Sequence, residues 1–365
     1  MKNTFGQSVS VTLFGESHGS EIGAVIDGLA PGIAVDEEYI ASRLALRRPT
    51  GKISTSRVEA DEFRIVSGVF GGKTTGAPIC VIIPNTNTHS ADYEATRALA
   101  RPSHADYTAY EKYHGFEDYR GGGHFSGRLT APIVAAGAIA ETALMSKGIV
   151  LGTHISRLAG ISDRKFDNIK EDIERLSSAK FPVLDEKAGE KMTAEILEAA
   201  TDGDSVGGVL ECAVLGVPAG VGEPWFDSVE SVLSHALFSI PAVKGVQFGD
   251  GFGLCDMRGS KAGDAFRVES GKIVTKTNHN GGINGGITNG MPILFSVAVK
   301  PTPSIFKTQE TVDFIKRENA EITLVGRHDP AVVHRARAVV DAVTALTLCD
   351  LLALRYGTDF FGGEK

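Results

Sequence analysis

Two long helical segments constrain the fold of this chain more than any other feature. One begins at Thr130 and is closed by Gly148, and the other spans 331–355. Each follows shorter runs in which apolar and polar residues alternate as they do in strands. Because helices and sheets must bury their apolar sides against each other, this succession predicts an α+β fold. We expect one domain over residues 1–365, with mixed or antiparallel sheets and packed helices.

The remaining elements are predicted from local patterns. Alternation predicts strands at 8–14, 22–27, 63–70, 77–83, 207–216, 243–249 and 291–299. Helical periodicity predicts a helix over 36–48 with Asp36 as its N-cap, and further helices over 104–113, 166–178, 190–200 and 226–238. No low-complexity linker separates these elements, which agrees with a single domain.

Composition and charge argue against several classes of partner. The net charge of −8 disfavours nucleic acid as a general partner. The N-terminal segment lacks the apolar core of a signal peptide, and the longest apolar runs are shorter than a membrane span. The four cysteines are far apart and form no CxxC pair, which is typical of reduced thiols and not of a zinc site: Cys80, Cys212, Cys255 and Cys349. We expect a cytoplasmic protein that binds neither nucleic acid nor membranes.

The segment GESHG at 15–19 fits the nucleophile turn of a serine hydrolase, with Ser17 as the nucleophile. That turn needs an earlier loop to supply an oxyanion-hole N–H. Only fourteen residues precede Gly15, which leaves no room for the loop. A tight glycine turn between two strands is the favoured alternative, although it does not explain Glu16 and His18.

Two nucleotide-binding motifs are also disfavoured. The segment SGVFGGKTTG resembles a phosphate-binding P-loop, but Ser67 stands in place of the first glycine. A P-loop leads straight into a helix, whereas here Gly76 and Pro78 follow and the next run is a predicted strand. We therefore predict a hairpin turn. The fingerprint GxGxxG does not occur, which disfavours a Rossmann-type nicotinamide enzyme.

A basic cluster follows the first predicted helix. Arg43 and Arg47 lie four residues apart on one helix face, followed by Arg48, Lys52 and Arg57. One or two arginines at this end could simply complement the helix dipole. The additional cations in a loop that also contains Gly51 and Thr55 favour an anion-binding site.

A second candidate anion site is the loop RGGGHFSGR, which leads into the helix that begins at Thr130. Glycine-rich loops before a helix present free N–H groups and a positive dipole to an anion. Arg120, His124, Ser126 and Arg128 add possible donors. The alternative is a flexible connector, but three glycines flanked by arginines favour a phosphate or carboxylate site.

The C-terminal half contains two further candidate segments. HNGGINGGITNG at 279–290 precedes the strand that ends at Lys300 and is followed by KPTPSI. Its glycines would let the backbone approach a flat ligand, although a long hairpin loop explains them equally well. In GRHDP at 326–330, Asp329 is either a site residue or the N-cap of the final helix.

Two histidines complete the set of candidates. His18 lies in the GESHG turn, and His104 lies in RPSHAD beside Asp106. Either one alone is more often a hydrogen-bonded structural histidine. Histidine is, however, the side chain whose ordinary pKa suits proton transfer near neutral pH.

Taken together, the motifs resemble the chorismate synthase family. FGESHG, RPSHADYT, DYRGGG, HALFSIPAVKGVQFGDGF, the GGI-containing glycine loop, KPTPSI and GRHDP occur in the order and spacing of that family, from about Phe5 to Leu352. The resemblance implies a β-α-β-α sandwich, a homotetramer and a carbon–oxygen lyase. It implies anti-1,4-elimination of phosphate from 5-enolpyruvylshikimate 3-phosphate, which gives chorismate and requires reduced FMN without net redox change. The alternative from another class is an FMN-binding or flavin-storage protein without lyase activity.

The resemblance also assigns roles to residues of this chain. His18 would protonate the departing phosphate, His104 would protonate the reduced flavin near N1, and Asp329 is the third catalytic candidate. The substrate's anionic groups would be bound by the basic residues Arg47, Arg48, Lys52, Arg57 and Arg128. The residues that match flavin-binding stretches are His124, Phe125, Ser126, Pro241, Ala242, Gly285, Lys300, Pro301, Thr302, Pro303, Ser304 and Arg327.

Some positions depart from the family's pattern. The family commonly reads GGGRSSARET where this chain reads GGGHFSGRLT, so His124, Phe125 and Leu129 differ. Pro241 replaces a common asparagine, and Lys52 replaces an arginine that would bind an anion through two hydrogen bonds.

Some family members reduce their flavin with NADPH. The absence of a nicotinamide fingerprint and of an extended insertion favours an external source of reduced flavin here.

Overall fold

The computed structural model describes residues 2–49, 51–55, 60–86, 96–324, 326 and 328–363. In the N-terminal half the elements are β1 (Thr4–Phe5), β2 (Ser10–Gly15), β3 (Glu21–Asp27), α1 (Glu37–Arg47), β4 (Arg64–Ser67), β5 (Val69–Phe70), β6 (Lys73–Thr74), β7 (Ile79–Pro84), α2 (Asp106–Tyr113), α3 (Thr130–Met145), β8 (Val150–Leu158), β9 (Ile161–Ser162) and α4 (Ile169–Leu176).

The second half continues with α5 (Glu186–Thr201), β10 (Gly208–Leu215), α6 (Val229–Phe238), β11 (Val243–Phe248), α7 (Gly259–Ala262), β12 (Phe266–Glu269), β13 (Lys272–Thr275), β14 (Ile283–Asn284), β15 (Ile287–Thr288), β16 (Ile293–Val299), β17 (Gln309–Asp313), β18 (Glu318–Ile322) and α8 (Val333–Tyr356). Short 3-10 helices at Gly51–Ile53, Arg120–Phe125 and Gly127–Leu129 border the site described below.

Two five-stranded sheets form the framework of the fold. Their strand orders are β1-β2-β3-β7-β4 and β11-β16-β10-β8-β9. All neighbouring strands in these two sheets, within the described ranges, pair antiparallel. The α+β class is therefore confirmed, with antiparallel rather than mixed sheets.

The helix α3 lies in the core. Fourteen of its sixteen residues are buried, and it packs against both α8 and the first sheet. The contact with α8 is close at Gly137, where a Cβ atom would lie 2.2 Å from the Cβ of Ala342. The stretch Arg120–Met145 is long and apolar enough to cross a membrane, but 89% of its most apolar window is buried inside the protein. The protein itself thus already covers this apolar surface.

The strand β8 separates two helices. Thr153 Oγ1 donates a hydrogen bond to Asp341 of α8, whereas the preceding Gly152 faces Ile173 of α4. Successive residues of a strand point to opposite faces, so α8 and α4 cover opposite faces of the second sheet.

Most sequence-predicted elements are confirmed to within a few residues. Asp36 is the N-cap of α1, where its carboxylate accepts a hydrogen bond from the Tyr39 N–H. The strand predicted at 63–70 is interrupted at Gly68, whose φ is +83°. The segment that resembled a P-loop forms the predicted hairpin, β5 and β6. The sequence did not predict the strands β1, β8, β9, β12, β13, β17 and β18.

The prediction that Arg43 belongs to the anion-binding cluster is wrong. Its side chain is buried in the core, where Nη2 donates to Asp341 at 2.5 Å and Nε lies 3.1 Å from Glu141. Tyr39 donates to the same glutamate at 2.6 Å. Arg43 therefore balances two buried carboxylates and is not available to a ligand.

Candidate functional site

A cleft of about 900 Å³ brings together segments that are distant in the sequence. This is near the upper end of the range for small-molecule sites, about 300–1,000 Å³. The predicted site residues that line the cleft are Arg47, His104, His124, Phe125, Ser126, Arg128, Pro241, Ala242, Lys300, Thr302, Pro303, Ser304 and Asp329. The predicted residues that do not line it are His18, Arg48, Lys52, Gly285 and Pro301. Arg57 and Arg327 lie outside the described residues.

The glycine-rich loop forms one side of the site. Gly121, Gly122 and Gly123 have φ values of +60°, +81° and +53°, a region that favours glycine. The Ser17 N–H donates to the Gly123 carbonyl at 3.1 Å, so the loop packs on the GESHG turn. A Cβ on Gly121 would lie 2.4 Å from the His18 ring, and one on Gly122 would lie 3.3 Å from Cε1 of His104. The two histidines thus border adjacent glycines.

We expect Gly121→Ala to destabilise the protein by more than about 1 kcal/mol, because alanine is strained at this φ and its Cβ would collide with His18. Urea unfolding measures the loss. Gly127→Ala is the matched control, since no heavy atom lies within 4 Å of its added Cβ. A Gly121→Ala variant as stable as the parent would contradict this description of the loop.

The two arginines predicted to bind substrate share one buried carboxylate. Arg47 Nη1 donates to Oδ2 of Asp61 at 2.8 Å, and Arg128 Nη1 donates to Oδ1 of the same residue. Arg47 Nε also donates to Thr130 at 2.9 Å, and Arg128 Nε donates to Asn85 at 3.2 Å. These bonds hold both guanidinium groups rigidly in the wall of the cleft.

Sequence reasoning did not identify Asp61. Its φ of +51° is uncommon for a residue other than glycine, and its side chain is buried between the two arginines. Strained backbone of this kind is concentrated at functional sites. The acidic stretch at 59–62 gave a weak signal, since nothing local indicates which cations its carboxylates would meet.

Asp329 connects two other segments of the cleft. Its carboxylate accepts the Thr55 N–H at 2.8 Å and Nη1 of Arg335 at 2.7 Å. The interpretation of Asp329 as a helix N-cap is wrong, because α8 begins at Val333 and Val332 occupies the N-cap position. The carboxylate is instead used to join the loop before α8 to the segment after α1.

Arg335 is a second residue that sequence reasoning missed. It lines the cleft from the first turn of α8, and its Nε donates to the Arg47 carbonyl at 2.7 Å. Its Nη2 makes no hydrogen bond to any residue that the structure describes. Arg335 therefore adds a third guanidinium group next to Arg47 and Arg128.

His104 is held by a salt-bridged pair. Its Nδ1 lies 2.9 Å from Oδ1 of Asp106 and 3.1 Å from Nη2 of Arg101. Arg101 also donates to Asp106 through Nε at 2.8 Å and Nη2 at 2.6 Å. Burial alone would raise the pKa of Asp106, but the hydrogen bonds from Arg101 and His104 outweigh it and place that pKa well below its usual range.

The residues that depart from the family pattern have defined contacts. His124 Nδ1 lies 2.8 Å from the Gly15 carbonyl, and because a carbonyl only accepts, Nδ1 carries a proton. Phe125 is 39% exposed and packs edge-on against Tyr113 at 5.9 Å. Between them and Arg128, Ser126 retains the serine of the family pattern and accepts the Arg128 N–H at 3.3 Å.

The segment 300–304 forms the wall of the cleft beyond His104. Lys300 Nζ donates to the Ser103 carbonyl, and burial together with the neighbouring Lys244 lowers the pKa of Lys300. The buried hydroxyl of Thr302 has no hydrogen-bond partner among the described residues. This wall, together with Lys244 of β11, therefore offers two cations and an unsatisfied donor to an anionic ligand.

The other candidates lie outside the cleft. Arg48 donates to the Ala60 carbonyl, Lys52 is exposed on the 3-10 helix after α1, and Gly285 occupies the turn between β14 and β15. Ser17 is fully buried. The serine-hydrolase interpretation is wrong, because β2 is followed by another strand and not by a helix, and the hydroxyl is not accessible.

Comparison with known proteins identifies the family. The family model for chorismate synthase matches residues 9–353. A chorismate synthase of Dehalococcoides mccartyi is 47% identical over 358 residues, which cover 98% of both chains. One of Aeropyrum pernix is 46% identical over 355 residues, covering 97% of this chain and 93% of that protein.

A solved crystal structure of chorismate synthase is similar over 97% of this chain and 94% of its own, with a TM-score of 0.77 and 28% sequence identity. The similarity thus extends from sequence to structure and covers nearly the whole chain. The seven ordered motifs, the extent of these matches and the cleft that is lined by residues of several motifs agree with one another. This chain belongs to the chorismate synthase family of carbon–oxygen lyases.

Proposed function

We propose that the cleft eliminates phosphate from 5-enolpyruvylshikimate 3-phosphate in an anti-1,4 sense to give chorismate, with reduced FMN as cofactor and no net redox change. One observation carries the proposal: the same cleft is lined by His104, by three arginines and by the 300–304 wall. The arginines are Arg47, Arg128 and Arg335. These groups come from all parts of the chain. They suit two anionic ligands bound next to each other.

The residues of the 300–304 wall fit the cofactor. Lys300, together with Lys244 of β11, supplies positive charge, and the Thr302 hydroxyl, which has no partner among the described residues, can donate to a phosphate oxygen. Phe125 presents an exposed aromatic ring on the same side as the glycine loop. When bound, the reduced flavin supplies electron density to an allylic system whose ring hydrogen is not acidic.

The arginines suit the substrate's phosphate and carboxylate groups. Asp61 and Asp329 orient the guanidinium groups and offset part of their mutual repulsion. A site prepared in this way binds and orients an anion without reorganising during the reaction. We also propose that the exposed Lys52 and the more remote Arg48 contribute long-range attraction to the same substrate, together with Arg57.

Two histidines are proposed to move protons. His104 faces the cleft, where its Nε2 can donate to the bound flavin near N1. His18 lies buried behind Gly121, where a Cβ atom would come within 2.4 Å of its ring. From this position beside the glycine loop, His18 is proposed to protonate the phosphate that leaves. Asp329 is proposed to act from its position next to Arg335 in the lining of the cleft.

The decisive test is anaerobic phosphate release from the substrate with photoreduced FMN. We expect release with reduced FMN and none with oxidised FMN or with NADPH alone. Equal release without any flavin would overturn the proposal. Binding of FMN without phosphate release would support the alternative, a flavin-binding protein without lyase activity.

We expect Arg128→Ala to weaken substrate binding by roughly ten- to a hundredfold, because a hydrogen bond to a charged group contributes about 1.5–3 kcal/mol. Equilibrium binding of the substrate, measured by calorimetry, gives the value. The matched control is Arg64→Ala, since Arg64 pairs with Glu21 on the exposed surface. Substrate binding that is unchanged in both Arg128→Ala and Arg47→Ala would remove this cluster from the site.

The finer features of the fold and assembly are also proposals. A single domain in a β-α-β-α sandwich is supported by one core cluster that runs from Val9 to Phe361 and by the helices on both faces of the second sheet.

A homotetramer is supported by aromatic side chains on the surface, such as Trp225 at 84% and Phe226 at 91% exposed. Light scattering tests the number of subunits.

We also propose a cytoplasmic location and an external source of reduced flavin. Turnover driven by NADPH without an added reductase would contradict the external source.

A further inference from the structure

The pair formed by Arg101 and Asp106 offers His104 two different partners at one ring nitrogen. A carboxylate only accepts a hydrogen bond and a guanidinium group only donates one. A neutral His104 can therefore donate from Nδ1 to Asp106, leaving Nε2 as an acceptor. It can alternatively accept at Nδ1 from Arg101 and carry its proton on Nε2. The positively charged ring can only donate to Asp106.

The geometry favours the carboxylate as the partner. Nδ1 lies closer to Asp106, at 2.9 Å, than to Nη2 of Arg101, at 3.1 Å. Nη2 already donates to the same carboxylate oxygen at 2.6 Å, and the Arg101 N–H donates to its other oxygen at 3.0 Å. Arg101 is thus occupied in holding Asp106.

The backbone supports this arrangement. Ser103 has a φ of +60°, and the His104 N–H donates to the Arg101 carbonyl at 3.0 Å, which closes a tight turn. The turn places Asp106 at the first position of α2, two residues after the ring that it contacts. Lys300, whose Nζ donates to the Ser103 carbonyl, is the nearby cation from another element.

We propose that Asp106 is a positioning residue that keeps the His104 proton on Nδ1, so that Nε2 is the atom that gives a proton to the bound ligand. The proposal rests on the proposed function of His104. The charged ring loses its Nε2 proton to the ligand and remains as a neutral ring with Nδ1–H directed to Asp106. Nε2 then regains a proton from solvent. Arg101 keeps Asp106 oriented and ionised throughout.

The test is NMR of protein labelled with ¹³C and ¹⁵N at its histidines, with the His104 signals assigned from His104→Gln. In the parent we expect ¹⁵N shifts of a neutral ring that is protonated at Nδ1. In Asp106→Asn we expect the ¹⁵N shifts to move towards a mixture of the two neutral tautomers, because an amide can donate to Nδ1 as well as accept from it. Asp118→Asn is the matched control. Asp118 pairs with Arg120 as Asp106 pairs with Arg101, but it does not contact His104, so we expect unchanged ¹⁵N shifts for His104.

The same variants separate this proposal from the proposed function. We expect Asp106→Asn to lower kcat with little change in KM. A neutral parent ring protonated at Nε2, or ¹⁵N shifts of His104 that are unchanged in Asp106→Asn, would overturn the positioning role. If Asp106→Asn does not fold, the parent ¹⁵N shifts alone decide it. Parental turnover by His104→Gln would overturn the proton transfer, whatever the NMR result.

Discussion

Turnover is expected to fall by about 10²- to 10⁴-fold when His18 or His104 is replaced by alanine, because each is proposed to supply a positioned proton. The measurement is single-turnover phosphate release by correctly folded protein. The control is His235→Ala, since His235 packs on Phe5 and does not line the cleft. Parental rates in both folded variants would show that the two histidines are structural.

The two variants should differ in their effect on the flavin. His104 lines the cleft near the 300–304 wall, whereas His18 lies behind Gly121. We therefore expect His18→Ala to bind reduced FMN almost as tightly as the parent. His104→Ala should in addition change the pH titration of the bound reduced flavin's absorbance. The same change in His18→Ala would mean that the roles are assigned the wrong way round.

The largest loss of stability is expected from Asp341→Ala, at about 3–5 kcal/mol, because Arg43 would lose a partner inside the core. Thr153, which donates to Asp341 at 2.6 Å, would lose its acceptor as well. Urea unfolding followed by circular dichroism measures the difference in the free energy of unfolding.

Two further variants separate charge burial from general damage to the core. Glu198→Ala removes an exposed carboxylate from α5 and should change the stability very little. Replacing Arg43, Glu141 and Asp341 together by apolar residues of similar size should cost less than Asp341→Ala alone, since Arg43 is removed with both of the carboxylates that it balances. A triple variant as unstable as the single one would contradict the assigned pairing.

The elements that could be predicted from the sequence are those with strong local signals. The helix α1 has an acidic N-cap, α3 and α8 are long and apolar, and the hairpin at 69–74 has two adjacent glycines at its turn. The strand β8 lacked such a signal. It is covered on both faces, so Thr153 and His154 are buried and the alternation of polar and apolar residues is lost.

The site residues likewise divide into those that a local motif predicts and those whose contacts depend on the packing. The motifs alone determined the family, and most of the site residues predicted from the sequence line the cleft, because each motif is a short segment with its own glycines and charges. They did not determine which charge each long side chain would meet. Arg43 and Arg47 lie four residues apart on α1, yet Arg43 pairs with Glu141 and Asp341 whereas Arg47 pairs with Asp61.

Only the tertiary structure decided these partners. The two arginines on Asp61 are 14 and 67 residues away from it, and Arg335 reaches the carbonyl of Arg47 across 288 residues. The same holds for the Thr302 hydroxyl, which meets no hydrogen-bond partner among the described residues, and for the two histidines that border adjacent glycines. Helix spacing determines the side on which a residue projects, but the neighbour it meets there comes from another element. Electrostatic partners are therefore a property of the packing and not of the local sequence.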